Sequence, residues 1–336
     1  MNILLTGGTG YIGSHTSVVL SQAGHTVVLL DNLCNSRRDV MLRLQEITGK
    51  AIRLVQADVR NTQLLTQMLA SYEIEAVVHF AGLKAVGESV AKPVDYYANN
   101  VQGSISVLEA MQAANVKTLV FSSSATVYGD PQYLPIDEEH PTRATNPYGR
   151  SKLHIEEMLA DVANSDAAWR IACLRYFNPV GAHASGLIGE DPAGLPNNLM
   201  PYVAQVAVGK LPHLNVYGDD YATPDGTGVR DYIHVMDLAE GHLAALNFLS
   251  EQPGWHAINL GSGRGSSVLE MVQAFEAASG KRVPHQIVAR RAGDIASCYA
   301  QANKAERLFA WKTQRTLRDM CASTWHWQEQ STKQNT

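Results

Sequence analysis

The feature that most constrains this chain is a glycine-rich turn between a short apolar run and a helical pattern. Residues 2–6 form the apolar run, Gly7, Gly10 and Gly13 follow, and the helical pattern covers residues 11–23. In such a strand–turn–helix unit the first glycine permits a tight turn, the second lets a pyrophosphate approach the backbone, and the third lets helix and strand pack closely. The sequence therefore predicts a dinucleotide site whose phosphates face the helix N-terminus.

Two acidic residues follow the next strands. The predicted strand 26–30 ends at Asp31, 18 residues beyond Gly13. A carboxylate there can bind both ribose hydroxyls and would repel a 2′-phosphate, which favours NAD over NADP. Asp58 follows the third strand, where it either meets the adenine or caps the next helix, and the residues favour neither interpretation.

The remaining pattern indicates an α/β fold. Further runs of strand length lie at 51–56, 76–80, 118–122 and 170–176, and helical patterns lie at 95–114 and 148–162. Apolar strands that alternate with amphipathic helices are typical of a parallel sheet covered on both faces. We predict a doubly wound, Rossmann-type sheet.

The rhythm changes after about residue 178, where proline and glycine become frequent and connections lengthen. We therefore predict a Rossmann-type domain over 1–177 and a smaller mixed α/β lobe for the substrate over 178–336. The two are expected to be interleaved, since a strand near 257–260 is placed to return to the main sheet.

Charge and cysteine usage exclude several classes of protein. The net charge of -5 gives no basic excess for nucleic acid or an anionic membrane. No apolar run approaches the ~20 residues of a spanning helix, and no signal sequence is seen. The twelve histidines show no metal-ligand spacing, so no metal is expected. Four dispersed cysteines indicate free thiols in a reducing cytoplasm: Cys34, Cys173, Cys298 and Cys321.

Tyr148 and Lys152 lie four residues apart, so on a helix they share one face. A free phenol has a pKa near ~10. Stabilising its ionised form by roughly 3 to 5 kcal/mol makes it a usable base near neutral pH. A cation ~4 Å away at an effective dielectric of ~20 supplies about 4 kcal/mol. An isolated pair of this kind is usually just two solvated side chains, but behind a dinucleotide fingerprint it predicts a tyrosine base.

Longer blocks carry a resemblance to a known family. They lie at residues 80–89 (FAGLKAVGES), 121–129 (FSSSATVYG), 174–182 (LRYFNPVGA), 196–201 (PNNLMP) and 225–235 (DGTGVRDYIHV). With the glycine turn and the Tyr-x-x-x-Lys pair, they resemble the extended short-chain dehydrogenase/reductase family, and within it the UDP-glucose 4-epimerases. The resemblance runs from residue 2 to about residue 327.

The resemblance implies a reaction in which Tyr148 takes the proton of the sugar 4-hydroxyl while NAD takes hydride from C4. Ser124 would bond that hydroxyl, and Lys152 would hold the nicotinamide ribose and lower the pKa of Tyr148. Ser124 alternatively caps backbone amides at a strand end. The keto sugar turns over and hydride returns to its other face, so UDP-galactose and UDP-glucose are interconverted. A homodimer is also implied, with helices 95–114 and 148–162 as interface candidates.

Binding positions carry over residue by residue. For the cofactor they are Gly7, Gly10, Tyr11, Ile12, Gly13, Asp31, Asn32, Asp58, Val59, Phe80, Ala81, Gly82, Lys84, Asn99, Ser124, Tyr148, Lys152 and Phe177. For the nucleotide sugar they are Ser124, Tyr148, Asn178, Asn198, Asn215, Tyr217, Arg230, Arg291, Asp294 and Cys298. A guanidinium fork binds phosphate in a bidentate manner. The alternative for the two arginines is an ion pair with a neighbour, Asp231 or Asp294.

Cys298 departs from the family pattern, in which bacterial members often carry tyrosine. A bulky residue there crowds the sugar 2-position, whereas a small one leaves room for an N-acetyl group. We therefore hypothesise that UDP-N-acetylglucosamine and UDP-N-acetylgalactosamine are interconverted as well. The hypothesis depends on Cys298, and not the adjacent Tyr299, occupying this position.

Two other functions share this fold. A nucleotide-sugar 4,6-dehydratase needs an acid/base pair just after the serine, where this chain has Ala125 and Thr126. A noncatalytic NAD-sensing regulator typically lacks the tyrosine or the lysine, and both are present here.

Overall fold

The computed structural model describes residues 1–192, 194–291 and 293–334. In these ranges the strands are β1 (Asn2–Thr6), β2 (Thr26–Asp31), β3 (Arg53–Gln56), β4 (Ala76–His79), β5 (Thr118–Ser124), β6 (Arg170–Tyr176), β7 (Asn178–Val180), β8 (Leu214–Tyr217), β9 (Val229–His234), β10 (Gly254–Leu260), β11 (Gly265–Ser267), β12 (His285–Val288) and β13 (Ser297–Cys298).

The helices are α1 (Tyr11–Gln22), α2 (Val40–Thr48), α3 (Thr62–Ser71), α4 (Val86–Ala91), α5 (Pro93–Tyr96), α6 (Gln102–Ala113), α7 (Pro147–Ser165), α8 (Leu199–Ala207), α9 (Val235–Glu251), α10 (Val268–Ser279), α11 (Asn303–Phe309) and α12 (Leu317–Gln334). A π-helical turn covers Tyr97–Val101 and a 3₁₀ turn covers Ala125–Val127.

Seven strands form the main sheet in the order β10-β6-β5-β4-β1-β2-β3. All six pairings are parallel. The order reverses between β1 and β4, and the crevice at such a switch point is where doubly wound sheets bind ligands. The prediction of a doubly wound parallel sheet is confirmed. Strand β10 pairs with β6 at the edge of this sheet, while the domain boundary at residue 177 stays a prediction.

Each face of the main sheet is covered by its own apolar layer. One layer joins α1, α2, α9 and α11 to the sheet through Leu20, Leu44, Leu246 and Ala305. The other joins α3, α6 and α7 through Leu65, Val107 and Ile155. Burial on both faces explains why these strands read as continuous apolar runs in the sequence.

A smaller set of elements follows the main sheet. Strand β9 pairs with β11, β13 and β7, and β8 pairs with β12. Helices α8, α10 and α12 pack on them through Val203, Phe275 and Met320. These elements are the mixed α/β lobe that the sequence predicts.

The helical pattern predicted over residues 95–114 is confirmed, and the structure adds a π-helical turn inside it. It consists of α5, the π turn Tyr97–Val101 and α6. The side chain of Asn100 bonds to Leu83 and to Ser151, on two other segments. Single-turn π bulges are frequent at functional sites because they redirect side chains at low cost, and this one carries Asn99 and Asn100.

Helix α7 starts where the sequence provides an N-terminal signal. Pro147 occupies its first turn, and the Asn146 side chain accepts from the Gly149 amide at 2.9 Å. The start of this helix therefore has a fixed position, and Tyr148 is its second residue.

No helix among the described residues is long and apolar enough to cross a bilayer. Within the same ranges, no group of three or more histidine, cysteine, aspartate or glutamate side chains could hold a metal ion.

The close contact of α1 with the glycine turn yields a stability prediction. A Cβ on Gly13 would lie 2.4 Å from the Gly7 carbonyl oxygen, which is backbone and has little freedom to move. Gly13→Ala should therefore lower the free energy of unfolding by about 1 to 3 kcal/mol, measured by urea denaturation. Gly87→Ala, also helical, is the control, because its Cβ would meet nothing within 4 Å. Equal midpoints for the two variants would contradict the prediction.

Candidate functional site

The glycine turn forms a phosphate-sized cradle at the switch point. Gly7 has φ +68°, and a Cβ on it would lie 2.8 Å from the Ala81 nitrogen. Gly10 is the N-cap of α1 and provides no side-chain cap. The first-turn amides of α1, from Tyr11 to Gly13, therefore lack side-chain acceptors from the cap. Bare amides at a helix N-terminus, with no side chain above them, suit a pyrophosphate.

Asp31 completes the cradle at the end of β2. It is buried, and its Oδ1 accepts from the Leu33 amide at 2.9 Å and the Ser36 hydroxyl at 3.0 Å. Its Oδ2 accepts from the Thr9 amide at 3.1 Å, inside the glycine turn. These bonds hold a carboxylate beside the phosphate cradle, where a ribose diol would lie. The residues present therefore fit NAD.

Asp58 is not a helix cap. Arg60 donates to both of its carboxylate oxygens, at 2.9 and 2.7 Å, and lowers the pKa of the carboxyl group. The cap of α3 is Asn61, whose side chain accepts from the Leu64 amide at 3.1 Å. The capping alternative is therefore wrong. Asn32, at the end of β2, also hydrogen-bonds to Asp58 and lowers its pKa, so the two residues meet at one edge of the sheet.

Ser124 and Tyr148 meet at the carboxyl end of β5. Ser124 is the last residue of β5, and its hydroxyl accepts from the Thr126 amide at 3.2 Å and hydroxyl at 2.9 Å. The predicted capping role of Ser124 is thus present in the structure. The Ser124 hydroxyl also interacts with the phenol of Tyr148. Burial raises the pKa of Tyr148, and the interaction with Ser124 opposes that rise.

Lys152 lies one turn beyond Tyr148 on α7 and is buried. Its ammonium donates to the Ser122 carbonyl at 2.6 Å and lies 4.7 Å from the centre of the Phe121 ring. Burial lowers the pKa of Lys152 to about 8, and the carboxylate of Glu156 opposes that change.

The expected lowering of the Tyr148 pKa by Lys152 is not seen in this structure. The pKa of Tyr148 is raised because the phenol is buried, and Ser124 offsets only part of that rise. The physical reason is that the lysine ammonium is directed at the Ser122 carbonyl, while the low-polarity surroundings favour the neutral phenol.

The loop after β4 brings further cofactor candidates next to Lys152. A Cβ on Gly82 would lie 3.7 Å from the Lys152 nitrogen, and the Ala81 amide donates to Thr6 at 3.3 Å. Phe80 packs against His242 with ring centres 4.9 Å apart. Asn99 donates to the Asn100 side chain at 3.1 Å. The remaining candidates on this side, Ile12, Val59 and Phe177, are apolar and pack on the core clusters.

Arg291 and Arg230 differ in their present partners. Arg291 pairs with Asp294 at 2.9 Å and lies 5.3 Å from the centre of the Tyr217 ring. Arg230 donates to the Val229 carbonyl at 2.8 Å. The buried carboxylate of Asp231 is occupied elsewhere, by bonds from Ser262, Gly263 and Ala300. The ion-pair alternative thus describes Arg291 here, and does not describe Arg230.

One carboxylate links residues that sequence reasoning assigned to different ligands. Glu190 accepts from Lys84 at 3.2 Å and from Asn198 at 2.7 Å. Lys84 is a cofactor candidate and Asn198 a nucleotide-sugar candidate. The other substrate candidates are dispersed: Asn178 is exposed on β7, and Asn215 on β8 accepts from Gln286 at 2.8 Å.

Cys298 lies close to Ala125, the residue that follows Ser124. It pairs with Arg230 across β13 and β9, and it packs on the cluster that contains Phe177 and Ala125. Tyr299 lies against Gly265 instead, at 3.2 Å from the position of a Cβ on that glycine. Of the motif that precedes this strand, Ala292 lies outside the described residues.

Asn100 and Glu190 are two residues of the site that the sequence did not single out. Asn100 is buried, donates to the Leu83 carbonyl at 3.0 Å and to the Ser151 hydroxyl at 3.1 Å, and so ties the loop after β4 to α7. An asparagine in the middle of a predicted helix is a weak signal for such a role. Glu190 stands in a polar stretch and carries no comparable signal.

Comparisons with known proteins agree with this geometry. The model of the NAD dependent epimerase/dehydratase family matches residues 3–261. The chain belongs to this family. It is 58% identical to the UDP-glucose 4-epimerase of Bacillus subtilis over 328 residues, covering 98% of this chain and 97% of that protein. It is 56% identical to the mouse UDP-glucose 4-epimerase over 336 residues, with the same coverage.

A solved structure is similar over nearly the whole chain. The UDP-glucose-4-epimerase from Stenotrophomonas maltophila, with bound NAD and formylated UDP-arabinopyranose, has a TM-score of 0.98 and 54% identity, and the match covers 99% of both chains. The family is therefore NAD-dependent, and NAD is the cofactor that the glycine turn and Asp31 fit.

Proposed function

We infer that this chain is a UDP-glucose 4-epimerase, an isomerase that interconverts UDP-galactose and UDP-glucose with tightly bound NAD. The observation that carries the inference is the meeting of Ser124, Tyr148 and Lys152 at the carboxyl ends of strands beside the NAD cradle. Identities of 56% and 58% to UDP-glucose 4-epimerases over nearly the full length support it.

When bound, NAD supplies a positively charged acceptor for the C4 hydride, which is returned within the same cycle. The protein's part is to move one proton. Tyr148 accepts it from the 4-hydroxyl, and Ser124 bonds to both the hydroxyl and Tyr148 to align the transfer. Lys152 lies one turn further along the same helix, and we expect its positive charge to favour the phenolate once the cofactor and substrate are bound, whereas its present partner is the Ser122 carbonyl. Because proton and hydride both return, the net reaction inverts one carbon.

We assign the nucleotide to the smaller lobe. Arg230 presents its guanidinium without Asp231 as a partner, and Arg291 lies over Tyr217. Both cations suit a diphosphate. The remaining residues of the proposed site are Asn178, Asn198, Asn215, Asp294 and Cys298. The alternatives are not favoured, since Ala125 and Thr126 offer no acid/base pair for dehydration and both Tyr148 and Lys152 are present.

Turnover without added cofactor tests the reaction. We expect the purified protein to convert UDP-galactose to UDP-glucose, followed by proton NMR, with no NAD supplied. Tyr148→Phe removes the base and should lower kcat by about 10² to 10⁴-fold. Tyr72→Phe, at the C-terminal end of α3 and outside both proposed sites, is the matched control and should retain kcat. A 4-keto-6-deoxy product would identify a dehydratase, and bound NAD without turnover would identify a sensor.

We propose that Cys298 also admits acetylated sugars. Its side chain packs near Ala125 and Phe177, whereas Tyr299 lies against Gly265. Cys298→Tyr should reduce kcat/KM for UDP-N-acetylgalactosamine by at least about tenfold and leave that for UDP-galactose nearly unchanged, because only the larger substituent meets the ring. Unaltered turnover of the acetylated sugar in the variant would refute this specificity.

We propose a homodimer that uses the surface of α4 and α5. Val86, Val90 and Val94 are spaced by four residues and are 42%, 64% and 75% exposed. These exposed apolar side chains on two short helices that contact α7 suit a protein interface. Val94→Asp should give monomers in sedimentation equilibrium, while Leu42→Asp, 72% exposed on α2, should leave dimers intact. A Val94→Asp dimer of wild-type affinity would count against this surface.

We also propose a cytoplasmic location, supported by four free cysteines, Cys34, Cys173, Cys298 and Cys321. Cell fractionation that recovers the protein outside the cytoplasm would overturn it.

A further inference from the structure

A chain of buried polar groups lies directly behind the catalytic face of α7. Its centre is the ion pair of Glu156 and Arg175, with side chains 2% and 5% exposed. Arg175 donates to the Glu156 carboxylate from Nε at 3.1 and 3.2 Å and from Nη2 at 2.6 Å. The Ser123 hydroxyl donates to the same carboxylate. Glu156 thereby joins α7 to both β5 and β6.

The same series of buried polar groups extends to the 3₁₀ turn that follows β5. Arg175 Nη1 donates to the Tyr128 hydroxyl at 3.0 Å, which donates to Asn259 at 2.6 Å. Tyr128 ends the 3₁₀ turn that begins after Ser124. Hydrogen bonds therefore link Arg175 to both sides of Ser124. Tyr128 makes the link on the C-terminal side, and Ser123 makes it on the N-terminal side through Glu156.

The position of Glu156 on α7 connects the buried polar groups to the two proposed catalytic residues of that helix. Glu156 follows Lys152 by four residues and Tyr148 by eight, so all three lie on one side of the helix. A buried ion pair is by itself weak evidence for stability, since desolvation of the charges offsets much of their attraction. Because the pair lies beside the buried Lys152, it can also influence the charge of that lysine.

Several titratable groups face Lys152 and Tyr148 from the surrounding elements. They are His79 on β4, Cys173 and Tyr176 on β6, Tyr96 on α5, and Glu156 on α7 itself, whereas Arg175 interacts with Glu156 and Tyr128. Burial raises the pKa of the Cys173 thiol and lowers that of His79 to about 3, so both are neutral near pH 7. Glu156 is the acidic group of this set that opposes the burial of the Lys152 charge.

We propose that Glu156 is a positioning residue of the epimerase reaction: through the Ser123–Glu156–Arg175 chain it holds Lys152 in its charged form and fixes the segment that carries Ser124. This proposal rests on the function proposed above. Glu156 touches neither substrate nor cofactor in this role. It acts through Lys152, which in turn favours the ionised phenol of Tyr148.

The test removes both charges of the pair together, because removing one would leave the other buried and unpaired. Glu156→Gln combined with Arg175→Met keeps side-chain volumes similar. Glu156, and not Arg175, is the member of the pair that acts on the Lys152 charge. Without the carboxylate Lys152 therefore loses its proton at lower pH, and the falling alkaline limb of kcat should move down by about one pH unit. At pH values above this limb, kcat of the double variant should be about tenfold lower than that of the wild type. The KM for UDP-galactose should change little. Glu156→Asp, which withdraws the carboxylate by one methylene, should give a smaller shift in the same direction.

A second readout is independent of turnover. The ¹⁵Nζ resonance of Lys152, assigned through its loss in Lys152→Met, should titrate at lower pH in the double variant and in Glu156→Asp. Glu240→Gln is the matched control, because it removes one acidic partner of Arg315 far from Lys152. It should leave both the limb and the resonance unchanged.

The possible results distinguish a failure of the proposed function from a failure of the role proposed for Glu156. If the wild type does not epimerise UDP-galactose, the proposed function fails, and the lysine resonance still tests the role of Glu156. If the wild type is active but neither the limb nor the resonance moves in the double variant, the role of Glu156 is overturned. Should the double variant not fold, an unchanged lysine titration in Glu156→Asp overturns it equally.

Discussion

The site depends on the register of parallel strands in the main sheet. Thr6, the last residue of β1, pairs with His79, the last residue of β4, and His79 pairs with Phe121. Strand β5 then continues three residues further, to Ser124. The glycine turn and Ser124 consequently lie at one edge of the sheet, although 110 or more residues separate them in the chain. A slip of one residue would turn Ser124 toward the opposite face.

Burial determines the acid–base character of Tyr148 and Lys152. The pKa of Tyr148 is raised and that of Lys152 is lowered to about 8, so the surroundings push both groups toward their neutral forms. Proton abstraction needs the opposite arrangement, a phenolate beside an ammonium. Additional positive charge close to the phenol shifts the balance, and the oxidised nicotinamide ring is such a charge. A phenol that becomes basic only next to the oxidised cofactor would couple proton removal to hydride removal.

Local patterns in the sequence were enough to predict the parts of the fold that short segments determine. The strand Asn2–Thr6 and the strand Arg170–Tyr176 were predicted at their observed bounds, and Tyr148 and Lys152 lie on the expected helix. The misses involve contacts between distant segments. Asn100 reaches Ser151 across 51 residues, and Lys84 reaches Glu190 across 106. Neither the π turn nor the pairing of Asp58 with Arg60 has a periodic signature, because each depends on which side chains tertiary packing brings together.

Under the proposed function, the pairing of β13 with β9 would connect phosphate binding to the choice of sugar. Cys298 stands opposite Arg230, and neighbouring side chains in an extended strand point to opposite faces. This alternation directs Cys298 toward Phe177 and leaves Tyr299 against Gly265. A bound diphosphate held by Arg230 would place the sugar at a set distance from residue 298. The size of that one side chain could then decide which 2-substituent fits, without any change in the residues that perform the chemistry.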